Sequence, residues 1–168
     1  MGSITEDIRI RAGRIKLLLL DVDGVLTDGR IYLGPRGEEL KAFHVRDGSA
    51  LVRLLRAGLA VALISGRRSK AVLRRGRELG IGEIHQGVKD KAAVLAQLLQ
   101  GYSCGPEEAA YVGDDLPDLE IMREVGLSVA VADAHPQLQE AADYVTEKRG
   151  GEGAVMEIAE LILDNLNE

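Results

Sequence analysis

Apolar residues in this chain come in two textures. Five short runs are centred on consecutive apolar positions, "IKLLLL" (15–20), "LAVALIS" (59–65), "AAYVGD" (109–114), "LSVAVAD" (127–133) and "DYVT" (143–146), and a sixth strand-like run, "GEIHQ" (82–86), is built around Ile84. The first has no polar alternation, the pattern of a strand covered on both faces in a parallel sheet, and the others read as short buried strands. Between them apolar positions recur every three or four residues. "DGSALVRLLRAG" puts Leu51, Leu54 and Leu55 on one face, with Asp47 as its expected N-cap and Gly58 just past its end. "SKAVLRRGRELG" and "KDKAAVLAQLLQ" repeat the pattern, Pro136 suits a first helical turn, and "GAVMEIAELILDNL" predicts a closing amphipathic helix. Strand and helix in strict alternation predict a doubly wound α/β domain with a parallel sheet.

One segment departs from this rhythm. "GRIYLGPRGEELKAFHV" (29–45) holds two strand-like runs around a Gly-Pro-Arg-Gly turn, which predicts a β-hairpin inserted after the first strand. It is too small for a separate cap domain. The expected organisation is an N-terminal extension over 1–14 and one domain over 15–168, with the hairpin at 29–45 and a C-terminal tail over 148–168.

Composition narrows the partners. The chain has 168 residues, 46% of them hydrophobic and 29% charged, which suits one globular core. A formal charge of −6 without a long basic block argues against nucleic acid and leaves a metal or an anionic small molecule open. The only basic cluster, "RRSKAVLRRGR" (67–77), reads as a solvated helix face. Cys104 is the only cysteine, so no internal disulfide forms, and a reducing compartment fits. No apolar run is long enough to span a bilayer, and "MGSITEDIRIRAGR" lacks the apolar core of a signal peptide. A cytoplasmic protein is expected.

The chemistry lies at the strand ends, where open α/β sheets bind ligands. The first strand runs into Asp21 and Asp23, the second into Ser65, Gly66 and Arg67, and the fourth into Asp114 and Asp115 with Asp118 following. Lys91 opens the helix after the third. Crowded carboxylates repel one another unless a proton or a cation intervenes, and a hydroxyl with an ammonium can hold phosphoryl oxygens.

"DVDGVLTDG", "ISGR", Lys91 in "VKDKAAV" and "VGDDLPD", in this order and spacing, resemble the haloacid dehalogenase superfamily of phosphohydrolases. "FHVRDGSAL", the short insertion and "RGGEGAVMEI" are similar to its 3-deoxy-D-manno-octulosonate 8-phosphate phosphatase group, over about 15–163; residues 1–14 carry none of the likeness. The resemblance implies a Rossmann-like core and an aspartyl-phosphate mechanism. At matching positions it implies Asp21 as nucleophile and Asp23 as general acid and base. It also implies Mg²⁺ held by the Asp21 and Asp114 carboxylates and the Asp23 backbone carbonyl, with Asp115 and Asp118 in support. Ser65 and Lys91 would meet the phosphoryl group, and Thr27, Gly66, Arg67 and Arg149 would serve substrate binding. Arg67 suits a bidentate grip on a substrate carboxylate or phosphate. The implied substrate is a phosphorylated sugar acid on the route to lipopolysaccharide, with a related nonulosonate 9-phosphate as the alternative and a non-catalytic phosphate-binding module as the rival class.

An isolated D-x-D also occurs in turns and calcium loops; behind "LLLL" and beside three further motifs it reads as catalytic. A carboxylic acid two positions after the nucleophile favours phosphate-ester chemistry, because an alkoxide needs a proton on leaving and a halide does not. A receiver domain would carry its phosphorylated Asp on a later strand. His44, His85 and His135 share no metal-ligand spacing and read as packing or capping residues. "GGEG" lacks a nucleotide-loop context and reads as a flexible hinge that lets the tail fold over the entrance, with Arg149 as a mobile charge. About forty residues separate Asp23 from Ser65, too few for a lid. Water exclusion and substrate selection must then come from elsewhere. The hairpin offers Ile31, Leu33, Leu40 and Phe43 as surface for a neighbouring subunit, and a homotetramer with shared sites, which the resemblance also implies, is the expectation.

Overall fold

The computed structural model describes residues 4–166, so the first three and last two positions of the expected extension and tail lie outside the described residues. Six strands form one parallel sheet: β1 Leu17–Leu20, β4 Ala60–Ser65, β5 Glu83–Gln86, β6 Ala109–Gly113, β7 Leu127–Ala130 and β8 Tyr144–Val145. Their order is β5-β4-β1-β6-β7-β8. The chain runs outward from β1 through β4 to β5, then crosses back to β6 on the other side of β1. This reversal opens a crevice at the carboxyl ends of β1, β4 and β6.

Unbroken apolarity in β1 follows from its central place. Leu17, Leu18, Leu19 and Leu20 are fully buried, each contributing about 1.5–3 kcal/mol of hydrophobic transfer. Helices α2 Val45–Arg56, α3 Lys70–Glu78, α4 Lys91–Tyr102, α5 Leu119–Met122, α6 Pro136–Ala141 and α7 Ala154–Asn165 link or cover the strands. The predicted hairpin forms from β2 Tyr32–Leu33 and β3 Glu39–Leu40, paired antiparallel. It leaves Ile31, Tyr32, Leu33 and Leu40 exposed, while Phe43 packs on the core.

Three local expectations come out differently. Residues expected as a bare extension include helix α1 Glu6–Ala12, capped by Thr5 and docked on the core through Ile8 and Ala12. Asp47 does not cap α2, whose N-cap is His44; it lies in the first turn and accepts a hydrogen bond from Met156 N–H at 2.8 Å, at the start of α7. The glycine-rich tail is docked rather than hinged. Gly150 and Gly151 lie against the loop over 24–28, with Gly151 N–H donating to Val25 O at 2.9 Å and Gly150 N–H to Asp133 Oδ1 at 3.0 Å. A Cβ at Gly150 would run into the Gly24 carbonyl. No helix among the described residues is long and apolar enough to cross a membrane.

Candidate active site

A cleft of about 230 Å³ lies over the crevice, lined by Asp21, Asp23, Ser65, Gly66, Arg67, Lys91, Asp114, Asp115 and Asp118 among others. Asp21 leaves β1 with its amide still bonded to Val112 O at 3.0 Å, so the carboxylate is fixed by the sheet. Ser65 ends β4 nearly buried, and Arg67 N–H donates to its Oγ at 3.1 Å. Lys91, at the head of α4, spends its three N–H donors on Asp21 Oδ1 and Asp118 Oδ1, both at 2.6 Å, and on Tyr111 Oη at 3.0 Å.

Asp118 is fully engaged. Its Oδ1 accepts from Lys91 and from Tyr111 O–H at 2.7 Å, and its Oδ2 accepts from Asp114 N–H at 3.0 Å and Asp115 N–H at 3.4 Å. It therefore orients Lys91 and the Asp114 loop instead of offering a free lone pair. Asp115 is exposed, and its Oδ1 caps Leu116 N–H at 2.8 Å in the 3₁₀ turn Leu116–Asp118.

Carboxylate oxygens of Asp21, Asp114 and Asp118 lie within 4.8 Å of one another. Burial, and then the negative charges of Asp21, Asp118 and Asp115, push the Asp114 carboxyl up to about 8. Burial likewise raises Asp21, against the pull of Lys91. Burial opposes the charge on Lys91, but Asp21 and Asp118 outweigh it and hold the ammonium above its ordinary range. Three carboxylates around one ammonium leave an excess of negative charge that suits a hard divalent cation. The backbone makes room for the Asp114 carboxylate: Gly24 has φ +95°, and a Cβ there would strike it. The residues present fit Mg²⁺.

The Asp23 carboxylate stands apart from that cluster. Lys41 Nζ donates to its Oδ1, and Arg67 Nε lies 4.0 Å from its Oδ2. Arg67 also donates through Nη2 to Glu39 Oε2 at 3.0 Å. Ser69, then Arg67 and Lys41, hold the Glu39 carboxyl below the usual range despite partial burial, so it is ionised.

Of the sequence-derived site residues, Asp21, Asp23, Ser65, Gly66, Arg67, Lys91, Asp114, Asp115 and Asp118 meet in one cleft. Thr27 does not. It is 1% exposed, its Oγ1 accepts from Gly24 N–H at 3.3 Å and Gly29 N–H at 3.2 Å and faces Val22 O at 3.4 Å, so it shapes the loop instead of meeting a ligand. Arg149 is exposed on the tail and does not line the cleft. The His135 ring caps α6 while its amide donates to Asp114 O at 2.7 Å, and His85 pairs with Glu83 at 2.9 Å; neither lines the cleft. Sequence reasoning missed Lys41, Glu39 and Tyr111. Only Tyr111 gave a signal, because a tyrosine inside a buried strand needs a partner for its hydroxyl.

A family model described as haloacid dehalogenase-like hydrolase matches residues 76–158. The 3-deoxy-D-manno-octulosonate 8-phosphate phosphatase of Yersinia pestis is 51% identical over 162 residues, covering 96% of this chain and 87% of that protein. The chain belongs to the 3-deoxy-D-manno-octulosonate 8-phosphate phosphatase family. The Escherichia coli K12 phosphatase of this family is equally similar, at 51% identity over 96% of this chain and 86% of that one. A crystal structure of the Moraxella catarrhalis member, in complex with magnesium, phosphate and a KDO molecule, superimposes with a TM-score of 0.94 at 44% identity, covering 97% of this chain and 94% of that one. The alignment with the Yersinia pestis phosphatase is too long to exclude the first fourteen residues, in keeping with the docked α1.

Proposed function

We propose that this chain is an Mg²⁺-dependent phosphatase that hydrolyses 3-deoxy-D-manno-octulosonate 8-phosphate to the free sugar acid and phosphate. The observation that carries it is Asp21, held by Lys91 beside Ser65 and Asp114, in a chain half identical to phosphatases of that name. The roles follow from the chemistry of the groups. Asp21 attacks phosphorus with a carboxylate oxygen, and the bond from phosphorus to the sugar oxygen breaks to leave an aspartyl-phosphate. Asp23 gives its proton to the departing sugar oxygen and then takes one from the water that hydrolyses the acyl-phosphate. Ser65 donates to a phosphoryl oxygen, and Lys91 neutralises charge as it builds. Mg²⁺, held by Asp21, Asp114 and the Asp23 carbonyl, supplies electrostatic neutralisation of the phosphoryl group. Arg67 on the cleft rim takes the substrate carboxylate, and Gly66 lets the ligand approach the strand-end backbone.

A cytoplasmic homotetramer completes the reading. The exposed apolar residues of the hairpin, on an insertion too short to form a lid, favour burial against a neighbouring subunit, which would roof the site. Phosphate release should be measured from 3-deoxy-D-manno-octulosonate 8-phosphate, a nonulosonate 9-phosphate and arabinose 5-phosphate, with Mg²⁺ or with chelator. Turnover highest on the first substrate and lost with chelator is expected. Equal rates on all three, or rates indifferent to chelator, would refute this function.

A further inference from the structure

A ring of charge joins the hairpin to the cleft. Arg67 contacts Glu39 and Asp23, and Lys41 contacts Asp23 and lies 3.5 Å from Glu39 Oε1. Cations and anions alternate around it. The Arg67 side chain is 48% exposed and faces the cleft, while Glu39 is 18% exposed and Lys41 is enclosed. The guanidinium fork is split between two anions. Nη2 serves Glu39, Nε leans toward Asp23, and neither carboxylate takes the paired N–H groups that make a bidentate contact. Glu39 Oε1 is buried without a hydrogen bond and takes part in the longer ion pair with Lys41.

We propose that Glu39 is an internal carboxylate that occupies Arg67 in the substrate-free enzyme, yields it to the carboxylate of a sugar-acid ligand, and reclaims it to expel the product. The inference rests on the phosphatase reading above. A ligand carboxylate offers two oxygens to the fork and so outcompetes a single contact. Glu39 keeps Lys41 when displaced, so no orphan charge is buried by the exchange. After hydrolysis the sugar acid has lost its phosphoryl anchor but keeps the carboxylate. An unopposed Arg67 would hold it, and the return of Glu39 weakens that hold. Glu39 thus acts through Arg67, as a positioning residue that sets affinity for acids alone.

Calorimetry with free 3-deoxy-D-manno-octulosonate, together with steady-state kinetics on its 8-phosphate and on arabinose 5-phosphate, tests this in wild type, Glu39→Gln, Arg67→Gln and the double variant. In Glu39→Gln the sugar acid should bind roughly three- to tenfold more tightly, with KM for the acid phosphate falling in step. KM for arabinose 5-phosphate, which has no carboxylate, should stay put. In the Arg67→Gln background the Glu39 substitution should do nothing. Weaker or unchanged binding in Glu39→Gln, an equal shift for the carboxylate-free sugar phosphate, or the same tightening without Arg67 would each overturn the proposal. If wild type turned over no sugar-acid phosphate, the phosphatase reading would fail, and calorimetry with the sugar acid would still decide the role of Glu39.

Discussion

Asp47 Oδ1 accepts a hydrogen bond from the Met156 amide at 2.8 Å, so a residue of α2 caps α7 across 109 positions of sequence. The N-cap of α7, Gly153, has no side chain to do this, and the helix otherwise begins with open amides. Asp47→Ala should cost about 1–2 kcal/mol of stability, the usual loss on deleting a cap. Burial raises the Asp47 carboxyl, so the neutral acceptor in Asp47→Asn should keep the melting temperature near that of wild type. Equal losses in the two variants on thermal melting would refute the capping role.

Asp21→Asn removes the attacking anion and keeps the shape. Turnover should fall by roughly 10³-fold or more. Relief of repulsion with Asp114 and Asp118 should leave the metal-free variant at least as stable as wild type. Near-normal phosphate release would exclude Asp21 as the nucleophile.

Metal binding and pH should be linked. Asp21 and Asp114 have raised folded-state values, Asp114 to about 8, so between the ordinary carboxyl range and pH 8 the folded state binds more protons than the unfolded. Metal-free stability therefore falls as pH rises through that window. Mg²⁺ competes with those protons, and its shift of the melting temperature should be larger at pH 8.5 than at pH 6. A shift that shrinks with pH would contradict the carboxylate site.

Tyr111→Phe deletes the hydroxyl that bridges Asp118 and Lys91. Lys91 then keeps two of its three partners and is less firmly aimed at the phosphoryl group. kcat should drop about tenfold, equivalent to about 1.4 kcal/mol, with KM little changed. An effect on KM alone would place Tyr111 in substrate binding instead.

Leu33→Glu with Leu40→Glu puts charge on the exposed hairpin face. If this face is buried between subunits, light scattering should register a smaller particle, and selectivity for sugar-acid phosphates should fall with it. An unchanged particle mass would show that the hairpin does not hold the assembly together.

The sequence by itself determined the sheet and the floor of the site. Unbroken apolarity in 17–20 marks a central strand, because only a strand covered on both faces can bury every residue, and carboxylates at the ends of such strands must converge at the carboxyl edge of a parallel sheet. Asp21, Ser65, Lys91 and Asp114 were legible for that reason. Tertiary structure alone decided what crosses between elements. Lys41 and Glu39 sit on a two-residue edge strand and its flank with no periodic signal, and only the return of the hairpin onto the cleft joins them to Asp23 and Arg67. Asp47 carries the local signature of a cap for its own helix, yet burial against α7 gives it a more distant amide. Thr27 has the hydroxyl of a ligand-binding residue, and the loop consumes it internally. The "RGGEG" glycines look like a hinge in one dimension, whereas in three their missing side chains let the tail lie against the Gly24 loop. Periodicity and propensity are local quantities, and a hydrogen bond or an ion pair is settled by which groups close packing leaves face to face.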